Sequence, residues 1–345
     1  GVSGYVGTGP WVLTEHKDKQ YAVFTRNERY WGPKPALESV RWKVMPDHQT
    51  ILLALQKGEI DLIFGAAGDM PNLDAFAALQ KEGKYKTEIS APIASRAILL
   101  NAHQPITKDI NVREAFQHAI DKKAIADGIL NGSETIADTL MGKTVPYCDV
   151  DLPVRSYDVA KANELMEKAG WSMGKDGYRY KDGKKCVVTI YYNSNNSQER
   201  TISEYMQNDL KKIGVELRIV GEEKQAFLDR QRTGEFDLQY SLSWGTPYDP
   251  QSYLSSWRIP AHGDYQAQVG LERKEWLDKT ITALMIEPNE DTRKNTYKEL
   301  LAYIHEQGVY VPLSYSRTKA VHVQALKGVT FCTSQYEIPF ERMSF

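Results

Sequence analysis

Between residues 186 and 242 strand and helix patterns alternate, and this run constrains the fold more than any other part of the chain. Residues 186–192 (CVVTIYY) form a β-branched and aromatic run of strand length. Residues 199–213 carry apolar side chains at helical spacing, 215–220 (VELRIV) read as a strand, 225–233 are helical again, and 237–242 form a third strand. A strand–helix–strand unit closes through a right-handed crossover, so this βαβαβ run dictates an α/β fold with a largely parallel sheet. Ligands of such sheets sit beyond the carboxyl ends of the strands. The segment leaving the third strand, residues 243–268 (SWGTPYDPQSYLSSWRIPAHGDYQAQ), therefore holds the candidate site, and it is rich in aromatic side chains.

The flanking sequence predicts two lobes. Residues 20–25 and 38–45 read as strands separated by a Pro/Gly-punctuated loop, Asp47 caps a helix over 48–56, and 60–64 form a buried strand. A proline-containing stretch over 90–101 leads into an apolar strand and marks a crossing into the second lobe. There Asn111 is expected to cap a long helix that Asn131-Gly132 ends, and 158–169 form another helix closed by Gly170. Residues 290–307 give one more helix and 309–315 a strand, after which 329–338 are expected to supply the last strand of the first lobe. The domain division predicted is 1–92 with 316–345 for the first lobe and 93–315 for the second.

Composition narrows the function classes. With 345 residues, 41% of them hydrophobic, the chain can bury a substantial core, and its length suits two domains. A formal net charge of -2 gives no basic excess for nucleic acid, and no run of eighteen apolar residues is present to span a membrane. Cys148, Cys186 and Cys332 share no metal-site spacing, and buried, inert thiols are the default for each. No GxSxG, HExxH, Walker or GxGxxG motif occurs, so nothing indicates a hydrolase, transferase or nucleotide enzyme. The sequence opens with GVSGYVGTG, without an initiator Met, and a preceding segment is expected to have been removed.

Six segments in order along the chain, residues 7–11 (GTGPW), 26–35 (RNERYWGPKP), 58–62 (GEIDL), 244–250 (WGTPYDP), 310–313 (YVPL) and 337–340 (EIPF), resemble the extracellular solute-binding proteins of the peptide, opine and nickel class. Residues 244–250 and 255–268 (SSWRIPAHGDYQAQ) resemble its nickel-binding branch most specifically. The resemblance implies a two-lobed periplasmic-binding-protein type II fold. It also implies that this chain lacks the family's N-terminal part, leaving the first lobe incomplete. It further implies a monomeric receptor, not an enzyme, that hands its ligand to an ABC permease and works in the periplasm or lipid-anchored at the cell surface. No catalytic cofactor is implied; a Ni(II)-chelate would be the transported ligand, and a di- or oligopeptide is the alternative.

The residues carried over are His262 as the protein's metal ligand, with Trp244 and Tyr248 lining the same pocket. Taken alone, His262 reads as a loop histidine, because no second histidine or cysteine stands near it; the matching run around it is what makes it a ligand. Imidazole is a good borderline donor to Ni(II), and a single one suffices where a chelator fills the other positions. Peptide-binding members place an acid just after the corresponding Trp-Gly, whereas Thr246-Pro247-Tyr248 stand here, and a buried ammonium would be left unpaired. Asp249, before Pro250, reads as a turn former. Two positions depart from the nickel-binding pattern: Leu228 where a tyrosine is expected, and Tyr336 where a small hydroxyl residue is expected. Arg96 and Arg258 are candidates to neutralise a chelator's carboxylates in part, with a solvated or hinge-surface arginine as the default reading of each, and the other six histidines read as loop or polar-face residues.

Overall fold

The computed structural model describes residues 7–45, 47–65, 73–243, 250–332, 334 and 337–345. The chain divides into two compact units, Gly1–Ala91 with Arg317–Phe345, and Pro92–Ser316.

In the first unit β1 (Trp11–Lys17), β2 (Tyr21–Arg26) and β3 (Ser39–Lys43) form an antiparallel sheet in that order. Helix α1 (His48–Gln56) begins where expected: the Asp47 carboxylate accepts from the Thr50 backbone N–H at 2.8 Å. Gly58, at φ +73°, then supplies the left-handed residue that turns the chain. After β4 (Leu62–Gly65) come α2 (Leu73–Glu82) and β5 (Lys86–Ile89). The returning chain inserts Lys319–His322 between β4 and β5, antiparallel to both, and Leu55, Ile63, Phe76 and Val321 pack into one core. This corrects the expected last strand, since the described residues of 329–338 form none. The polar ends of KAVH conceal an interior strand from a hydrophobicity pattern, yet Lys319 and His322 are each only 2% exposed. His322 is likewise no loop histidine.

The second unit is built on a six-stranded sheet. Its first strand is β6 (Ala94–Leu100), followed by α3 (Ile110–Ala119), capped by Asp109 rather than Asn111. The long helix expected here breaks at Ile120, whose backbone is extended, and Asp121 caps the short α4 (Lys122–Ala124), which runs into a π-turn over Ile125–Ile129. Apolar spacing hides the break because residues on both sides of it are buried: Phe116 and Ile125 are both inaccessible. Next come β7 (Thr135–Ile136), α5 (Val159–Lys168), and a small sheet of β8 (Ser172–Met173), β9 (Arg179–Lys181) and β10 (Lys184–Lys185).

The βαβαβ run is completed by β11 (Val187–Asn193), α6 (Ser197–Lys211), β12 (Glu216–Glu222), α7 (Lys224–Thr233) and β13 (Leu238–Leu242), with β11 parallel to both of its neighbours. Helices α8 (Gln251–Ser256), α9 (Gly263–Gln268), α10 (Lys274–Leu284) and α11 (Glu290–Gln307) precede β14 (Tyr310–Ser316). The strand order is β12-β11-β13-β6-β14-β7. The sheet is therefore mixed rather than largely parallel: β6 and β14, by which the chain enters and leaves the unit, pair with each other antiparallel. Ala97 and Leu99 of β6 face a core with Trp257, Leu277 and Leu300, and Tyr240 of β13 faces α6 on the other side.

Leu99 is inaccessible at the centre of this sheet. Leu99→Ala is expected to cost about 3 kcal/mol, lost apolar transfer plus a cavity, as read by urea denaturation.

Candidate functional site

The carboxyl ends of β11 and β13 point to one edge of the sheet. Beyond β13, Ser243 ties the chain back to β6: its N–H donates to Ser95 O at 2.9 Å and its hydroxyl accepts from Ser95 N–H at 2.7 Å. Trp244, Tyr248 and Asp249 then lie outside the described residues, as does Tyr336. Pro250 opens α8, and residues 257–262 lead into α9.

His262 occupies the N-cap position of α9 with extended backbone, φ -99° and ψ 141°, and its side chain makes no capping hydrogen bond to the helix. The residue is half-buried. Its backbone is fixed at both ends, the N–H donating to Ile259 O and the carbonyl accepting from Gln266 N–H. Gly263, next in sequence, lies flat on the sheet, where an added Cβ would stand 3.2 Å from Leu99 Cδ1 and 3.3 Å from Gln239 Oε1. Asp264 is buried beneath. Its Oδ1 accepts from Tyr253 OH at 2.8 Å, from Tyr310 OH at 2.9 Å, and from Ser241 Oγ at 3.4 Å. Burial pushes the Asp264 carboxyl up, while the two phenol donors and the nearby His262 pull it down. The network continues through Gln268, which donates to Tyr310 OH at 2.8 Å, to Lys274, whose ammonium reaches Gln268, Trp257 O and Asp278. Sequence carried no signal for this network, because Tyr253, Asp264 and Tyr310 meet only through the tertiary fold.

A second polar cluster lies on the α6 face of the sheet. Arg96 is 3% exposed, not a surface arginine; its guanidinium donates to both oxygens of Glu134 at 3.0 and 3.4 Å and to Gln198 Oε1 at 2.8 Å. Ser314 Oγ adds a bond to Glu134 at 2.5 Å. A desolvated pair of this kind requires both partners, since either alone is an uncompensated buried charge. Beside it Glu199 and Asn196 share the spacing of a capping box, with the Asn196 side chain accepting from Glu199 N–H at 3.1 Å. Glu199 Oε2 is shut off from solvent without a hydrogen-bond partner in the structure. Desolvation pushes this carboxyl up to about 7, against the pull of Arg96 and of the bonds from Asn193 and Asn196.

The other residues of interest are scattered. Leu228 on α7 is 42% exposed, and half-buried Arg258 donates to Thr282. His305 Nε2, on α11, accepts from Arg155 Nη1 at 2.8 Å, and burial pulls its imidazole down to about 4. Burial pushes the Cys186 thiol up to about 12, as befits an inert core thiol. Among the described residues no group of three His, Cys, Asp or Glu side chains could hold a metal ion, and no helix is long and apolar enough to cross a membrane.

Residues 2–265 match the profile of the bacterial extracellular solute-binding proteins, family 5, middle part. The chain belongs to this family. It is 38% identical over 99% of its length to the nickel-binding periplasmic protein of Escherichia coli strain K12, of which it spans 66%. It is 29% identical over 72% of its length to the oligopeptide-binding protein AppA of Bacillus subtilis, spanning 45% of that protein. Among solved structures, that of NikA from Brucella suis in complex with Fe(III)-EDTA superposes with a TM-score of 0.93 at 40% identity, covering 98% of this chain and 68% of that one. The mixed sheet with its βαβαβ half is thus the periplasmic-binding-protein architecture of family 5.

The Glu199 geometry sets a pH dependence. Its folded-state value of about 7 lies above the ordinary 4.5, so the folded state holds the proton more tightly. The stability this contributes is complete below the unfolded value and is lost as pH rises through the folded one, by about 3 kcal/mol at most. Urea denaturation of the wild type and Glu199→Gln at several pH values should show the wild type losing stability relative to the variant between about pH 5 and about pH 8. Parallel curves would contradict the assignment.

Proposed function

We propose that this chain is an extracytoplasmic receptor of an ABC importer that binds nickel as a complex with a small organic chelator. His262 is its metal ligand, Trp244 and Tyr248 line the ligand site, and the two units are parts of its two lobes. The receptor acts as a monomer, hands its cargo to a membrane permease, and has no nucleic-acid partner. The observation that carries this reading is the 38% identity, over nearly the whole chain, to a nickel-binding periplasmic protein. The Fe(III)-EDTA complex of the Brucella relative supports a chelate rather than a bare ion, since that ligand presents a metal already wrapped in carboxylates.

The chemistry of the segment agrees with the proposal. His262 starts a short helix without capping it and is partly open to solvent, so its ring suits a single donor position. One neutral imidazole gives modest affinity for Ni(II), and a chelator that brings its own nitrogen and oxygen donors completes the coordination. Selectivity then rests on the shape of the whole chelate. Arg96 is engaged by Glu134 and Gln198, so on the described face of the sheet it is not the cation that meets a chelator's carboxylates. A peptide receptor is the second reading, favoured by the likeness to an oligopeptide-binding protein.

Native mass spectrometry of the protein with Ni(II), with Ni(II) plus L-histidine, and with a tripeptide mixture separates the two. The expected result is a mass gain that needs metal and histidine together and weakens at least about tenfold in His262→Ala. A retained peptide with no metal dependence would move the chain to the peptide reading.

A further inference from the structure

We propose that Asp264 is the positioning residue of His262: without touching the ligand, it locks the start of α9 onto the sheet and so fixes where the imidazole stands. This rests on the reading of His262 as the metal ligand.

A side chain at a helix start is ordinarily placed by its own capping bond, and His262 makes none. Gly263 and Asp264, the first two residues of α9, hold the backbone that carries the imidazole. A Cβ added at Gly263 would crowd the Leu99 side chain of β6 and the Gln239 side chain of β13, at 3.2 and 3.3 Å, so a larger residue fits only if they give by a few tenths of an ångström. Asp264 is anchored from three directions at one oxygen. Ser241 brings β13, Tyr253 brings α8 and Tyr310 brings β14 to Oδ1. Tyr253 and Tyr310 are themselves held against Trp257, whose ring centroid lies 5.7 Å from each of theirs. Each phenol is locked by packing as well as by its hydrogen bond, so neither swings away to release Asp264. The start of α9 is thus bound to the sheet two residues after His262. Ligand-bearing groups need their supporting shell within about 0.5 Å of the productive place, and outer-shell partners of metal ligands cost about 10–100-fold in affinity when changed.

The shape-conserving Asp264→Asn is the test, and Tyr310→Phe, which removes one donor and no bulk, is the second variant. The protein holds seven histidines, so selective histidine labelling gives a short NMR spectrum in which His262 is identified by its loss in His262→Ala. The expected result is that Asp264→Asn shifts or broadens the His262 ring signals in the ligand-free protein, with the other histidines unmoved. Calorimetry with Ni(II) and L-histidine should then show at least about tenfold weaker binding. If Asp264→Asn does not fold, as judged by its thermal melt, Tyr310→Phe is read in its place and the same signature is expected. An unchanged His262 signal, or unchanged affinity in a variant that moves it, overturns the inference. Unchanged affinity in His262→Ala instead overturns the functional reading on which it rests.

Discussion

Strand β6 is hydrogen-bonded to β13 on one side and β14 on the other, and all seven of its residues are buried. The pairing joins segments far apart in sequence, so the sheet of the second unit exists only once the chain's entering and leaving strands have met. Its alternation of side chains then distributes the chemistry. Ala97 and Leu99 point to the apolar core under α8–α11, while Arg96 points to α6. A slip of one residue would turn Arg96 into that core and put Ser95 or Ala97 in its place against Glu134, leaving both charges buried and unpaired. The buried ion pair is therefore a marker of register as well as a contact.

Local signals in the sequence found the elements, and non-local ones were invisible to it. The Asp47 cap, the helix Glu290–Gln307 and the βαβαβ run obey rules that span a few residues. The break at Ile120 escaped because two helices with aligned apolar faces carry the same periodicity as one. The strand Lys319–His322 escaped because its ends are polar, and Arg96 because an arginine's default place is the surface. In the candidate site, resemblance singled out His262, whereas nothing in the sequence could show that Asp264 gathers hydroxyls from Ser241, Tyr253 and Tyr310. Trp244 and Tyr248 lie outside the described residues, and their roles rest on resemblance.

Two buried polar networks flank the exit of β13, one on each face of the sheet. On the α6 side Arg96, Glu134 and Glu199 stand together; on the other, Asp264 is joined through Tyr310 and Gln268 to Lys274. Apolar side chains of equal volume would stabilise a sheet edge at least as well, because desolvating these charges opposes their attraction. What such networks add is directionality. Hydrogen bonds fix distance and angle, whereas apolar packing tolerates sliding. The place where both networks occur is the carboxyl edge of the parallel strands, where an α/β sheet holds its ligands. Recognition of a metal through one imidazole and the shape of its chelate, as we propose, depends on the exact placement of few groups. The fold therefore concentrates its costly, direction-setting contacts around the segment that carries them.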